Sequence, residues 1–117
     1  MATTELQAIV RFRFHDGDVE EFKRLSAHCM EIVRTRDTGT LQYDTYFNAD
    51  ETECIVLERF RDSDALIEHG ENLAHLMDAI IATGQVHGEL LGEPSAELRS
   101  GFGPGGPVQR FSPWMAL

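Results

Sequence analysis

Basic residues are scarce in this sequence. Its 117 residues include 10 Lys and Arg against 20 Asp and Glu, so the formal net charge is -10 at pH 7. Lys23 is the only lysine, and the arginines are scattered along the chain. Nucleic-acid phosphates and anionic membranes are bound by clustered Lys and Arg, so this composition argues against both kinds of partner.

Cysteine and long apolar runs are also scarce. Cys29 and Cys54 are too few for a disulfide framework and fit buried thiols of a reducing compartment. No apolar run approaches the roughly 18 to 20 residues that span a bilayer, and residues 1–5 show no feature of a signal peptide. We therefore expect a soluble, cytoplasmic protein, and 117 residues suit a single domain.

The first half of the chain contains a series of amphipathic segments. Apolar and polar residues alternate over 6–15, which predicts a half-buried strand. Apolar positions at helical spacing predict a helix over 19–36, with Asp18 and Glu21 spaced as in a capping box. Two further strands follow, one on each side of a hairpin-like loop at 48–52.

The second half predicts two helices and another strand. Asp62 or Ser63 caps a short helix that ends near Gly70, and Asn72 caps a second helix with an apolar stripe. A strand over 85–91 completes the series.

The order β-α-β-β-α-β predicts an α+β, ferredoxin-like fold with an antiparallel four-stranded sheet and helices on one face. Ile9, Ile55 and Leu57 fall on the opposite face of that sheet. Such an aliphatic face requires a cover, so we expect a homodimer that packs sheet to sheet. The alternative is that the C-terminal tail folds back over its own sheet.

Three groups of residues occur in order along the chain: Phe12 to Gly17 with Glu21-Phe22, Gly39 to Tyr43 with Glu58 to Phe60, and Ala65-Leu66 with His69 and His75. Together they resemble the antibiotic biosynthesis monooxygenase domain family, which belongs to the dimeric α/β barrel superfamily. Phe60 stands where the family commonly has Trp, and haem degradation is disfavoured because the only Trp, Trp114, lies in the tail.

The resemblance implies a dimeric α/β barrel and a cofactor-free monooxygenase that oxidises a small quinol, phenol or anthrone-like aromatic with molecular oxygen. The substrate would lie between the helices and the sheet. Residues 1–99 form the family domain, and 100–117 form a Gly/Pro linker and an apolar tail that docks on the domain or on the partner subunit. No metal-ligand spacing occurs, so no metal or other cofactor is expected. A non-catalytic ligand-binding or dimerisation module and a non-redox isomerase or cyclase stay open as alternatives.

Three residues are candidates for catalysis. His69 and His75 can exchange a proton near neutral pH, although His69 would also suit a helix C-terminus for electrostatic reasons alone. Because the two histidines are six residues apart, only a helix break at Gly70 would bring them together. Tyr43 shares the helix-facing side of its strand with Leu41 and can orient a substrate oxygen or simply pack in the core.

The candidate substrate-binding residues come from the matching segments. Glu58 alternates with Val56 and Phe60, so its carboxylate is expected to point inward. An inward carboxylate requires a partner, and a structural ion pair with Arg11 or Arg13 is the alternative to substrate binding. The candidates are Glu58, Phe60 and Phe12.

Overall fold

The computed structural model describes residues 3–101 and 106–117 of the chain. Part of the Gly/Pro linker expected within residues 100–117 therefore lies outside the described residues. The elements are β1 (Leu6–Phe14), α1 (Val19–Arg36), β2 (Thr40–Phe47), β3 (Glu53–Phe60), α2 (Ser63–Ile81), β4 (Gly84–Leu91), α3 (Ala96–Arg99) and β5 (Val108–Phe111).

The strands form one open sheet in the order β2-β3-β1-β4-β5. The predicted ferredoxin-like α+β fold is confirmed, with β1 to β4 pairing antiparallel. The expected count of four strands is wrong, because β5 adds a parallel strand beside β4. A single chain does not close a barrel, since β2 and β5 remain the two edges of its sheet.

Helix α1 runs over the predicted residues. Glu20 and Glu21 in its first turn and Arg34 and Arg36 in its last turn complement the helix dipole. The predicted capping box is not formed, because the side chain of Asp18 makes no cap hydrogen bond.

Helix α2 is continuous through Gly70, so the predicted break is wrong. Asp62 caps it by accepting a hydrogen bond from the Ala65 N–H at 2.9 Å. A glycine inside a helix costs only about 1 kcal/mol. Burial of Leu73 and Ile80 in the next turns outweighs this cost, since each buried aliphatic side chain contributes roughly 2 kcal/mol.

Both long helices cover one face of the sheet and enclose the main core. Phe12, Phe22, Phe14 and Phe47 form an aromatic group in this core, with the rings of Phe14 and Phe22 4.8 Å apart. A second, smaller core of Leu6, Leu90 and Leu98 lies under α3. No helix in 3–101 or 106–117 has both the length and the apolar composition of a transmembrane segment.

Strand β2 contains an irregularity that the alternation pattern did not predict. Thr40 pairs with Phe60 and Gln42 pairs with Arg59, which leaves Leu41 as an extra residue. Leu41 is accordingly 46% exposed instead of facing the helices with Tyr43. The bulge lies directly after the loop that carries Asp37.

Candidate active site

An apolar cavity of about 260 Å³ lies between the sheet and the two long helices. All five strands contribute to its floor, and α1 and α2 form its roof. Ile81 lines the cavity and is 48% exposed, so the cavity reaches solvent near the end of α2. The polar side chains in its wall are few: Ser26, Tyr43, Thr45, Glu58 and His69.

His69 lies between two carboxylates. Its Nδ1 is 2.7 Å from Oδ2 of Asp37, and its Nε2 is 3.4 Å from Oε1 of Glu58. Only 1% of the Asp37 side chain and 12% of the Glu58 side chain are exposed, so solvent screens neither interaction strongly. We call these three residues the Asp37–His69–Glu58 row.

Asp37 is positioned by the end of α1. It caps that helix in an extended backbone conformation, and its N–H donates to the carbonyl of Val33. Its carboxylate accepts hydrogen bonds from Thr40 Oγ1 at 2.6 Å and Asn72 Nδ2 at 2.8 Å as well as from His69. Burial would raise the pKa of Asp37, but the hydrogen-bond donors outweigh burial and lower the pKa.

An ionised Asp37 determines which nitrogen of His69 carries a proton. The carboxylate can only accept, so Nδ1 of His69 is the donor in this contact. The opposite nitrogen, Nε2, therefore points toward Glu58 and the cavity. This arrangement orients the imidazole and leaves Nε2 for proton exchange.

The two carboxylates also set the basicity of His69. Burial would lower the pKa of its imidazole, but the hydrogen bond and charge of Glu58, followed by those of Asp37, outweigh burial. The pKa of His69 is therefore raised above its ordinary value of 6.5.

Glu58 points inward as predicted, but the ion pair suggested as its alternative role is not formed. Arg11 contacts Glu89 at 3.1 Å, and Arg13 contacts Glu53 at 3.8 Å. Both arginines alternate with the inward residue Phe12 on β1, so they lie on the opposite face of the sheet. The inward partner of Glu58 is His69, which comes from a helix and not from a neighbouring strand.

Tyr43 lies beside His69, with 5.2 Å between the two ring centroids. Burial first, and then the neighbouring Cys29 and Glu58 side chains, raise the pKa of Tyr43 far above its usual range. Its hydroxyl therefore keeps its proton at neutral pH. Tyr43 can donate a hydrogen bond to a ligand oxygen in the cavity, but it is not suited to act as a base.

The remaining candidates fall in three different places. Phe12 lines the cavity, whereas Phe60 is completely buried with its ring centroid 5.0 Å from that of His69. His75 is exposed and its ring packs edge-on against that of His28, with the centroids 6.3 Å apart, so it does not join the site. In a continuous α2, positions 69 and 75 differ by about 120° around the helix axis.

Asp37 and Asn72 were not among the predicted site residues. Asp37 lies directly after the predicted end of the helix over 19–36, and Asn72 was interpreted only as a helix cap. One signal was present in the sequence, because an acidic residue at a helix C-terminus is unfavourable for the dipole and requires a compensating partner. Within residues 3–101 and 106–117, no three His, Cys, Asp or Glu side chains are grouped as metal ligands.

Comparisons with solved structures identify similar folds. MupZ from Pseudomonas fluorescens has a TM-score of 0.81 and 23% identity, and the match covers 100% of this chain and 91% of that chain. Rv0793 from Mycobacterium tuberculosis has a TM-score of 0.68 and 22% identity, and the match covers 78% of this chain and 96% of that chain. A mutant of SnoaB, a cofactor-independent oxygenase from Streptomyces nogalater, has a TM-score of 0.63 and 18% identity. That match covers 75% of this chain and 91% of that chain.

The sequence itself matches a family model. A search of functionally curated proteins found no significant match. The model for antibiotic biosynthesis monooxygenase matches residues 6–77, which include Asp37, Tyr43, Glu58 and His69. This chain therefore belongs to the antibiotic biosynthesis monooxygenase family.

Proposed function

We propose that this protein is a cofactor-independent monooxygenase that oxidises a small quinol, phenol or anthrone-like substrate with molecular oxygen. The observation that carries the proposal is the Asp37–His69–Glu58 row in the wall of an apolar cavity. An apolar cavity suits an aromatic ring and dissolved oxygen, and the row supplies a buried proton acceptor. The family and the SnoaB fold are consistent with this type of reaction.

The reaction begins when the His69–Glu58 pair accepts a proton from the substrate. For an anthrone-like substrate, the resulting carbanion gives one electron to oxygen, and the substrate radical and superoxide then combine as a carbon-bound peroxide. The peroxide takes a proton from His69. Loss of the remaining C–H proton and cleavage of the O–O bond then give a carbonyl group and one water. The four electrons lost by the CH₂ carbon reduce one oxygen molecule.

Tyr43 is proposed to position the substrate. Deprotonation places negative charge on a phenolic or enolic oxygen, and a fixed donor stabilises such an oxyanion in a site from which water is excluded. The Tyr43 hydroxyl is protonated and borders the same cavity as His69. Cavity-lining Phe12 would contact the aromatic body of the substrate.

An oxygen electrode tests the proposal with a panel of quinols and anthrones. The variants His69→Gln and Glu58→Gln are expected to lower kcat by about 10²- to 10⁴-fold, the usual contribution of a general base. His75→Gln is the matched control, because this second histidine of α2 is exposed and lies outside the cavity. Equal activity in the His69, Glu58 and His75 variants would refute the assigned site.

A non-redox isomerase or cyclase is the second candidate. The Asp37–His69–Glu58 row favours it because a protonated imidazole and a carboxylate together provide an acid and a base without any oxidant. Product formation that continues under argon would select this candidate. A binding module without turnover is less well supported, since an apolar cavity alone would serve it.

We also propose that two copies pack sheet to sheet. The uncovered face of the sheet carries the half-buried aliphatic side chains Ile9, Ile55 and Leu57 together with Tyr46, which is 54% exposed. In the tail that follows β5, Trp114 is 91% exposed, and we propose that residues 112–117 dock on the partner subunit. Sedimentation velocity tests both ideas: Ile55→Glu should give a monomer, and removal of 112–117 should weaken the dimer. A dimer of undiminished affinity in both variants would contradict them.

A reducing compartment remains our proposal for the location of the protein. Cys29 and Cys54 are free, buried thiols. Burial raises the pKa of Cys29, and it raises that of Cys54 to about 12, so both remain unreactive thiols at neutral pH. This chemistry fits the cytoplasm, and a cytoplasmic signal in cell fractionation is the expected result.

A further inference from the structure

A row of five paired residues crosses the cavity floor from one edge of the sheet to the other. Thr45 pairs with Val56, and Val56 pairs with Val10. On the other side, Val10 pairs with Gly88, and Gly88 pairs with Val108. All five line the cavity. Neighbouring strands lie about 4.8 Å apart, so the four steps from β2 to β5 give a floor of about 19 Å.

The two ends of this floor differ in chemistry. Tyr43 and Glu58 lie beside the β2 and β3 end, with His69 above them. At the other end, β4 and β5 offer Gly88 and Val108, together with Pro107 just before β5. A ligand that matches both ends carries a hydroxyl at one end and an apolar extension at the other.

The β5 end has a defined structure. The N–H of Gly88 donates to the carbonyl of Pro107 at 2.7 Å, which holds the start of β5 against β4. A Cβ added at Gly88 would lie 3.3 Å from Cγ2 of Val108, so the glycine provides the space that the valine occupies. Val108 also packs against the core formed with Leu90.

We propose that Gly88 and Val108 form the far wall of the substrate pocket and limit the length of the apolar part of the substrate. The substrate class is then a phenol or quinol with an alkyl or ring extension opposite the reacting hydroxyl. This inference rests on the proposed function, because the Asp37–His69–Glu58 row defines the end of the pocket that receives the substrate hydroxyl. Both wall residues lie outside residues 6–77, the part matched by the family model, so this wall is separate from the features that define the family.

Isothermal titration calorimetry with 4-alkylphenols, from methyl to octyl, tests the wall in the full-length protein. Affinity should rise about fourfold for each buried methylene and stop rising when the chain reaches Val108. Val108→Ala should move this limit to a longer chain, and Val108→Phe to a shorter one. Gln109→Ala is the matched control, because Gln109 is the next residue of β5 and is exposed.

The inference would be overturned if wild type, Val108→Ala, Val108→Phe and Gln109→Ala all showed the same chain-length limit. It would also be overturned if wild type bound no alkylphenol. Val108→Ala keeps the test valid if the phenylalanine variant fails to fold, which circular dichroism would show. The binding and oxygen-uptake results separate the two proposals. A shifted limit without turnover would support the wall and refute the oxygenase, whereas turnover with an unshifted limit would refute the wall alone.

Discussion

Replacement of Asp37 by Asn tests whether this carboxylate acts through His69. The substitution keeps the shape of the side chain and removes its charge. The Asp37 carboxylate accepts three hydrogen bonds, from Thr40, Asn72 and His69. With its one oxygen facing Thr40 and His69, an asparagine directs its NH₂ group at the NH₂ group of Asn72. One of the three bonds is then lost, which costs about 1.5 to 3 kcal/mol of stability for a bond to a charged acceptor.

The effect of Asp37→Asn on His69 has a definite sign. Asp37 and Glu58 both raise the pKa of His69, so removal of one charge lowers it. The inflection of the rate–pH profile should therefore move to lower pH, and kcat should fall by about 10²-fold, because a less basic imidazole accepts a proton less effectively. NMR titration of labelled histidine measures the pKa without relying on turnover.

Glu68→Gln is the matched control for this experiment. Glu68 precedes His69 in the chain, but its carboxylate accepts hydrogen bonds from the backbone and hydroxyl of Thr38. The control removes the same charge and should leave the titration of His69 nearly unchanged. An unaltered His69 pKa in Asp37→Asn, or an equal shift in both variants, would show that Asp37 does not act through the imidazole.

Three further predictions concern stability. Gly70→Ala should stabilise the protein by about 1 kcal/mol in urea unfolding, because α2 is continuous and nothing lies within 4 Å of the added Cβ. Gly84→Ala should destabilise it by about 2 kcal/mol or more in the same assay, since its Cβ would collide with the backbone carbonyl of Arg13. The stability that wild type gains from the raised pKa of His69 is complete below pH 6.5 and is lost as pH rises through that pKa. The difference in unfolding free energy between wild type and His69→Gln should shrink over this range, and a constant difference would contradict the assignment.

Individual strands and helices could be predicted because each depends on the side-chain pattern within its own segment. The alternation over β1 and the helical spacing over α1 each reflect one buried face, and both elements have the predicted bounds within one residue. The continuity of α2 could not be predicted in the same way. The punctuation signals of Gly70 and Asn72 favoured a stop and a new cap, whereas packing of Leu73 and Ile80 determined the outcome.

The site was harder to predict because its contacts are not local. His69 was among the candidates, but its two partners come from the end of α1 and from β3. Asn72, interpreted as a cap, instead connects α2 to Asp37 across 35 residues of sequence. Such contacts depend on how two helices pack, and periodicity within each helix does not contain that information.

The energetics of the row distinguish a structural role from a functional one. Asp37 has a structural role, since its contacts with Thr40 and Asn72 join the end of α1 to β2 and α2 whether or not a histidine is present. The His69–Glu58 contact joins α2 to β3, but buried ion pairs are often replaceable by apolar residues at no cost in stability. Folding alone would therefore favour apolar side chains at positions 58 and 69, where both line an otherwise apolar cavity. A carboxylate and an imidazole at these positions therefore support the proposed chemistry on a ligand.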